Sequence, residues 1–216
     1  IVQRVATELG IQDKILLHLT GLSRSLSVAR KAEEEGAYVI VARGWSANQI
    51  VEAGIRTPLV FLPISMQDLV YVLDQALVKA AKPNPRVGFI VYPQLQKELE
   101  ALSSLLHVDL RIYPSGSDKE DMRRAIAQAV RDKVDVFIGG ETSIAMAESM
   151  GLCCQLLVCD EMSIRQALLE AKRIVYAREL EQAQSLKFKT VIEHSHDGIV
   201  SLDAEGRVLL INPVAR

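Results

Sequence analysis

The sequence lacks the features by which several classes of protein are recognised. A net charge of −2 and the absence of any Lys/Arg-rich cluster give no general reason to expect binding to nucleic acid or to anionic membranes. No uninterrupted apolar run approaches the roughly 20 residues that a membrane-spanning helix needs. The three cysteines, at positions 153, 154 and 159, form neither a Cys-x-x-Cys pair nor a spaced disulfide framework. We therefore expect a cytoplasmic protein in a reducing compartment, with no membrane partner.

The start of the chain carries no recognisable targeting signal. Ile1-Val2-Gln3-Arg4 has neither the charged n-region nor the apolar h-region of a signal peptide, and the missing initiator Met leads us to expect a fragment. With 49% hydrophobic residues in 216, the chain can bury one large core or two modest ones.

The sequence contains one pattern twice. The first copy comprises 43–47, Ala53-Gly54-Ile55, 59–62 and 65–69, and the second comprises 139–143, Met150-Gly151-Leu152, 156–158 and 160–164. The offset is 140 − 44 = 96 at the first glycine and 151 − 54 = 97 at the second. Each copy is typical of a strand end, a glycine turn, a short helix, a buried strand and a capped helix. We predict an α/β fold of two Rossmann-like lobes with parallel sheets, related by internal duplication, with a ligand cleft between them.

Single helices separate the predicted strands, which favours right-handed crossovers and parallel sheets covered on both faces. The strands are expected at 14–19, 38–42, 59–62, 86–92, 108–113, 134–138 and 154–159. Pro83-Asn84-Pro85 is the best lobe boundary, which gives lobe one as residues 1–82 and lobe two as residues 83–160. Ser65, with Asp68 three residues later, predicts a capping box.

A long exit helix is predicted over residues 161–187. Ile164, Leu168, Ala171 and Val175 recur at 4-3-4 spacing, which suits packing or a short coiled coil. The charged stretch from Arg178 to Lys189 has two interpretations, a solvated helix face or a signalling helix that leads into the next domain.

The tail is typical of a helix, an Asp197-Gly198 break, a strand, a turn at Gly206 and a second strand ending in Asn212. It resembles the opening of a PAS domain, which needs about 100 residues to close a core. Residues 188–216 are therefore expected to be the truncated start of such a domain.

Together with that tail, the two copies resemble the N-terminal sensor domain of propionate-catabolism activators, which are sigma-54-dependent transcription regulators. The resemblance covers residues 1 to about 177. Its first motif is met by Arg43-Gly44-Trp45-Ser46 and by Ser65 with Asp68. Its second is met by 138–141 and by the box Glu161-Met162-Ser163-Ile164-Arg165-Gln166-Ala167.

The resemblance implies that a small organic acid, such as 2-methylcitrate, binds between two Rossmann-like lobes and relieves inhibition of a downstream ATPase. DNA and sigma-54 polymerase would be contacted only through domains outside this chain, which has no Walker motif. We expect a homo-oligomer, no cofactor, no metal and no enzymatic activity.

The predicted ligand-binding residues cluster at the two glycine turns and at the two capped helices. Backbone N–H groups at Gly44 and Gly140 would meet an anion at a helix N-terminus, and Arg43 would bind its carboxylate or phosphate, or else form a surface salt bridge. The full set is Arg43, Gly44, Trp45, Ser46, Ser65, Tyr92, Gly140, Glu141, Thr142, Ser143, Glu161, Ser163 and Arg165.

Several of these residues have a structural interpretation beside the functional one. Ser46, Thr142 and Ser143 could cap helices instead of contacting a ligand. Trp45 could lie in the core or act as a stacking lid. Arg165, unfavourably placed in a first helical turn, could face an anion or pair with Glu161 at spacing i, i+4.

Two other functions stay open. A racemase or isomerase on a two-lobed scaffold would need one acid/base cysteine from each lobe, and the first lobe has none. A pure dimerisation module predicts that Arg43→Ala changes nothing but solubility.

Overall fold

The computed structural model describes residues 1–18, 24–91, 95–116 and 118–216. Helices and strands alternate along most of this chain. The helices are α1 (Val2–Glu8), α2 (Ser25–Glu34), α3 (Gly44–Glu52), α4 (Met66–Ala80), α5 (Gln96–Leu106), α6 (Lys119–Arg131), α7 (Glu141–Ser149) and α8 (Glu161–Glu193). The strands are β1 (Ile40–Ala42), β2 (Leu59–Phe61), β3 (Arg86–Val91), β4 (Asp109–Pro114), β5 (Val136–Gly139), β6 (Cys154–Leu156), β7 (Val200–Leu202) and β8 (Val208–Ile211).

The first six strands form two parallel sheets. Strands β1 and β2 pair with each other, and the larger sheet has the order β4-β3-β5-β6 with every neighbour parallel. Every residue of β5 is buried, as is every residue of β3 after the first, which is the pattern of strands covered on both faces. The predicted α/β class with parallel sheets is confirmed.

The described residues divide into two compact units, 1–171 and 172–216. The predicted lobe boundary at residues 82–83 falls inside the first unit, between α4 and β3. One hydrophobic cluster of this unit places α4 and α5 against the larger sheet through residues such as Leu73, Leu99 and Phe89. A second cluster includes Phe137 of β5, Ile126 of α6 and Ala147 of α7.

The internal duplication is visible in the element order. We call residues 40–80 (β1-α3-β2-α4) the first repeat and residues 136–171 (β5-α7-β6 and the start of α8) the second repeat. Helix α3 spans 44–52 and α7 spans 141–149, an offset of 141 − 44 = 97 at both ends. The alignment of Gly44 with Gly140 is therefore wrong by one residue, because Gly44 corresponds to Glu141. The two glycines also differ in backbone: φ is +56° at Gly44 and −80° at Gly140.

The last helices of the two repeats pack away from their own sheets. Helix α4, from the first repeat, lies on β5 and β6 of the second repeat. In the second repeat, Ile164 and Leu168 of α8 join a cluster with Val5 of α1 and with Leu62, which follows β2. We call the part of the unit that contains β1 and β2 one half, and the part that contains the larger sheet the other half. The chain therefore passes from one half to the other twice, once before α4 and once before α8.

The strand predicted at Lys14–Leu19 is not formed over its described residues. Residues 12–14 are a 3-10 helix, and residues 15–18 have no regular structure, while Leu19 lies outside the described residues. In the larger sheet, β3 lies between β4 and β5. If residues 14–19 formed a strand that corresponded to β4, with β1 corresponding to β5, a further strand would be needed between them. No strand in the described part of the chain occupies that place.

The second unit contains the end of α8 and the antiparallel hairpin β7–β8, with Gly206 at φ +80° in the turn. Its polar anchor is the amide of Asn212, which is 1% exposed. The amide oxygen accepts from the N–H groups of Ile199 and Ala215, at 2.8 and 3.1 Å. The amide nitrogen donates to the carbonyls of Asp197 and Ile192, at 2.8 and 3.2 Å. Helix α8 continues to Glu193, beyond the predicted end at residue 187.

No helix in the described part of the chain combines the length and the apolar character that crossing a bilayer would require.

Candidate functional site

Arg43 connects the two repeats. It follows β1, and its guanidinium group donates through Nη2 to the carbonyl of Leu157 and through Nη1 to the Sγ of Cys159, both at 2.8 Å. Leu157 directly follows β6, so the side chain joins the carboxyl end of a first-repeat strand to the carboxyl end of a second-repeat strand. Both acceptors are neutral atoms of the chain. The structure thus places Arg43 at the junction of the repeats, and its predicted contact with an anion stays a prediction.

The two strand ends that meet here are built in the same way. The N–H of Leu62 donates to the carbonyl of Ala42 at 2.8 Å, and the N–H of Leu157 donates to the carbonyl of Gly139 at 2.9 Å. At Gly139, an added Cβ would lie 2.2 Å from the Ser143 Oγ and 3.0 Å from the Ile90 side chain. Only glycine allows α7 to start this close to the sheet, which explains one half of the Gly139-Gly140 pair.

The helices that begin at these strand ends have no side-chain cap. The N-cap residue of α3 is Arg43, whose side chain does not bond to the first turn, and that of α7 is Gly140, which has no side chain to offer. Ser143 is buried, and its hydroxyl donates back to the Gly140 carbonyl at 3.0 Å. The capping roles considered for Ser46, Thr142 and Ser143 are therefore not seen. In the part of the chain that the structure describes, the N-cap residues thus leave two helix N-termini at the junction, each with a partial positive charge, without a side-chain cap of their own.

Trp45 lies in the core. It is 8% exposed and belongs to the hydrophobic cluster that contains Ile90, Phe137 and Ala147 of the larger sheet and α7. Of the two interpretations drawn from the sequence, burial supports the core role, since a lid over an open cleft would keep one ring face in solvent. The residue instead anchors the first turn of α3 against the second half of the unit.

A buried carboxylate joins the starts of α4 and α8. Asp68 is 2% exposed, and its Oδ2 accepts from the Ser65 N–H at 2.8 Å and from the Ser163 hydroxyl at 2.9 Å. Its Oδ1 accepts from the Asp160 N–H at 2.6 Å. Asp160 in turn accepts from the Ser163 N–H at 2.7 Å, while the Ser65 hydroxyl accepts from the Asp68 N–H at 3.0 Å. The predicted capping box of Ser65 and Asp68 is confirmed, and Ser65 and Ser163 are engaged in this polar cluster.

The central position of Asp68 was missed by the sequence analysis, although a signal for it exists. In the first repeat a Ser caps the helix and an Asp stands three residues later. In the second repeat, Asp160 is followed by Ser163, so the same two residue types occur in the opposite order. Where the starts of two helices meet, an acceptor on one helix can bind a donor on the other. Here the acceptor is Asp68 of the first repeat and the donor is Ser163 of the second.

Glu161 and Arg165 belong to an ion network with α1. Arg165 pairs with Glu8 and with Glu161, the latter at 3.1 Å, and Arg4 pairs with Glu161. Arg165 and then Arg4 hold the pKa of the Glu161 carboxyl below its usual range, and Glu8 and Glu161 raise the pKa of Arg165. Both residues contact α1 and not Arg43, and the i, i+4 pairing weighed from the sequence is present.

The remaining predicted residues and the cysteines are dispersed. Glu141 is exposed and Thr142 half-buried at the start of α7, while Tyr92 lies outside the described residues. Cys153 is exposed, and Cys154 and Cys159 are buried. Burial and then Glu148 raise the pKa of the Cys154 thiol to about 11, and burial raises that of Cys159 against the opposing effect of Arg43. Two surface depressions, one beside α2 and the end of α3 and one on α4, are lined by none of the predicted residues.

Within residues 1–18, 24–91, 95–116 and 118–216, no group of three or more His, Cys, Asp and Glu side chains could hold a metal ion.

The architecture is shared with a transcriptional regulator of known structure. The crystal structure of an NtrC family transcriptional regulator from Clostridium acetobutylicum matches with a TM-score of 0.69 over 81% of this chain and 91% of that chain. At 16% sequence identity this likeness shows the fold alone. Residues 11–181 match the family described as propionate catabolism activator, so the chain belongs to that family. No curated protein matches the chain. The chain is thus a regulatory sensing domain of an activator.

Proposed function

We propose that residues 1–171 sense a small organic acid, whose carboxylate binds Arg43 at the junction of the two repeats. The observation that carries the proposal is the position of the Arg43 guanidinium, which reaches from the end of β1 to Leu157 at the end of β6. The carboxyl ends of parallel strands are the usual ligand-binding edge of α/β sheets. The uncapped first turns of α3 and α7 begin at the same strand ends and favour negative charge.

The present partners of Arg43 are weak competitors for such a ligand. A carbonyl oxygen and a thiol are neutral acceptors, whereas a carboxylate binds the planar guanidinium through two charge-assisted hydrogen bonds. An arriving carboxylate would replace Leu157 and Cys159 as partners of Arg43. The contact between the repeats would then pass through the ligand, which would change how the repeats are held together.

Further parts of the proposal follow from the family. We infer that the sensor reports through α8 to later domains, of which residues 188–216 resemble the start of a PAS domain. The regulator would act with sigma-54 polymerase on DNA through domains other than this one. It would work as a homo-oligomer in the cytoplasm, and the domain itself would catalyse no reaction.

Isothermal titration with 2-methylcitrate and related carboxylic acids tests the binding step. We expect saturable heat with the wild-type protein and an affinity at least about tenfold weaker for Arg43→Gln, because one charge-assisted pair is worth about that much or more. Arg56→Gln, which removes an exposed guanidinium of the same half, is the matched control and should bind like wild type. The proposal fails if a folded wild-type protein gives no heat with any small carboxylic acid, or if both variants bind alike.

A further inference from the structure

The two passages of the chain between the halves of the first unit lie against each other. Residues 62–65 lead from β2 to α4, which packs on the larger sheet, and residues 157–160 lead from β6 to α8, which packs with α1 and Leu62. We call these two segments the crossings. Cys159 Sγ of one crossing donates to the Pro63 carbonyl of the other at 3.6 Å.

The Asp68 carboxylate forms hydrogen bonds to both crossings. Its carboxylate accepts from the Ser65 N–H of the first crossing, from the Asp160 N–H of the second and from the Ser163 hydroxyl in the first turn of α8. All three donors converge on one side chain that is 2% exposed. A buried carboxylate of this kind cannot lose one donor without leaving a charge poorly solvated, so the three bonds are expected to form and break together.

We propose that the crossings form the hinge of the sensing unit and that Asp68 is the positioning residue that makes their opening cooperative. Movement of one half relative to the other must bend both crossings, because they are the segments that lead into the two exchanged helices. The Asp68 carboxylate ties the start of α8 to the start of α4, so α8 cannot shift unless the first crossing shifts too.

Amide hydrogen exchange measured by mass spectrometry tests this on the whole chain. Asp68→Asn keeps the size of the side chain but presents an N–H to at least one of the three donors. We expect exchange to accelerate by about tenfold or more in residues 62–68 and 157–164 together, as befits the loss of buried charge-assisted hydrogen bonds. Exchange in β3 and β5 should stay unchanged. Asp74→Asn, on the exposed face of the same helix, is the control and should match wild type.

A second pair of variants separates the hinge from a simple helix cap. Ser163→Ala removes the hydroxyl donor and should accelerate exchange in both crossings, whereas Ser163→Thr restores a hydroxyl and should return both to wild-type rates. Ser104→Ala, at an exposed site of α5, is the control. If Asp68→Asn does not fold, the comparison of Ser163→Ala with Ser163→Thr tests the proposal. The proposal is wrong if only one crossing responds, if exchange rises uniformly through the unit, or if Ser163→Thr behaves like Ser163→Ala.

One extension rests on the proposed function. If 2-methylcitrate binds at Arg43, it should change exchange in both crossings of the wild-type protein, and Asp68→Asn should bind with heat but lose the linked response in 157–164. If the wild-type protein gives no heat, the sensing proposal is contradicted. The hinge proposal is then tested by the hydrogen exchange of the variants measured without ligand.

Discussion

At the scale of single residues, Trp45 shows how a functional interpretation and a structural one are separated. The side chain is buried among residues of the larger sheet and α7. We expect Trp45→Ala to lower the free energy of unfolding by about 3–5 kcal/mol, the usual cost of deleting a buried large aromatic ring. Urea denaturation measures this. Tyr71→Ala, an exposed aromatic truncation on α4, should stay within about 0.5 kcal/mol of wild type. If the two variants changed the free energy of unfolding equally, the core role of Trp45 would be contradicted and the interpretation as a lid would be favoured.

Two other residues show what sequence reasoning could and could not reach. The capping box at Ser65 and Asp68 was predictable, because cap and partner lie three residues apart and the rule is local. The partners of Arg43 were not, since Leu157 and Cys159 are 114 and 116 residues away and one of them acts through its backbone carbonyl. The spacing of residue types does not reveal what a side chain at a strand end contacts.

At the scale of secondary-structure elements, the pattern predicted type and order well and boundaries less well. The sequence predicts helices at 45–53, from the Ser65 cap to about 82, and at 142–150, and α3, α4 and α7 lie within two residues of these bounds. Glycines, a capping serine and apolar spacing mark these helices locally. The predicted strand at residues 14–19 is the main error. An apolar run becomes a strand only beside a hydrogen-bonding neighbour, and neighbours depend on topology, which the run itself does not contain.

A cluster of charged residues lies at the amino ends of β3 and β5, and its response to acid can be tested. Asp135, which precedes β5, accepts from Lys82 Nζ at 2.6 Å and from the Arg86 N–H at 2.7 Å. Lys82 and then the Arg86 N–H hold the pKa of this carboxyl below its usual value of about 3.9. Because folding lowers that pKa, the stabilisation is complete above the usual value and is lost as the pH falls through the lowered one.

We therefore expect Asp135→Asn to flatten the fall in the free energy of unfolding between about pH 5 and about pH 2, measured by urea denaturation at each pH. Part of the fall should persist, since Arg86 also lowers the pKa of Asp109. Asp74→Asn, an exposed carboxylate of α4, serves as the control and should leave the curve unchanged. A variant curve parallel to that of wild type would show that Asp135 contributes no acid-labile stability.

At the scale of the whole molecule, the three hydrophobic core clusters found among the described residues all belong to the first unit. The second unit, 172–216, leaves large apolar side chains exposed on the end of α8 and on the hairpin, among them Phe188, Val191 and Leu209. Forty-odd residues seldom bury enough surface to be stable by themselves. The hairpin of this unit has a polar anchor in the Asn212 amide, which satisfies four backbone groups.

This difference predicts independent stabilities for the two units. Chain 1–171 should fold without residues 172–216 and keep its thermal unfolding midpoint within about 2 °C of the full chain, a shift that corresponds to about 1 kcal/mol or less. Asn212→Ala should leave that midpoint equally unchanged but speed proteolysis of the full chain after residue 171, because it leaves backbone groups of the hairpin without partners. Calorimetry and limited proteolysis with mass analysis measure both. Failure of 1–171 to fold, or a fall of its midpoint matched by Asn212→Ala, would mean that the sensing unit takes its stability from beyond Ala171, and the hinge at Asp68 would then have to be sought in the longer chain.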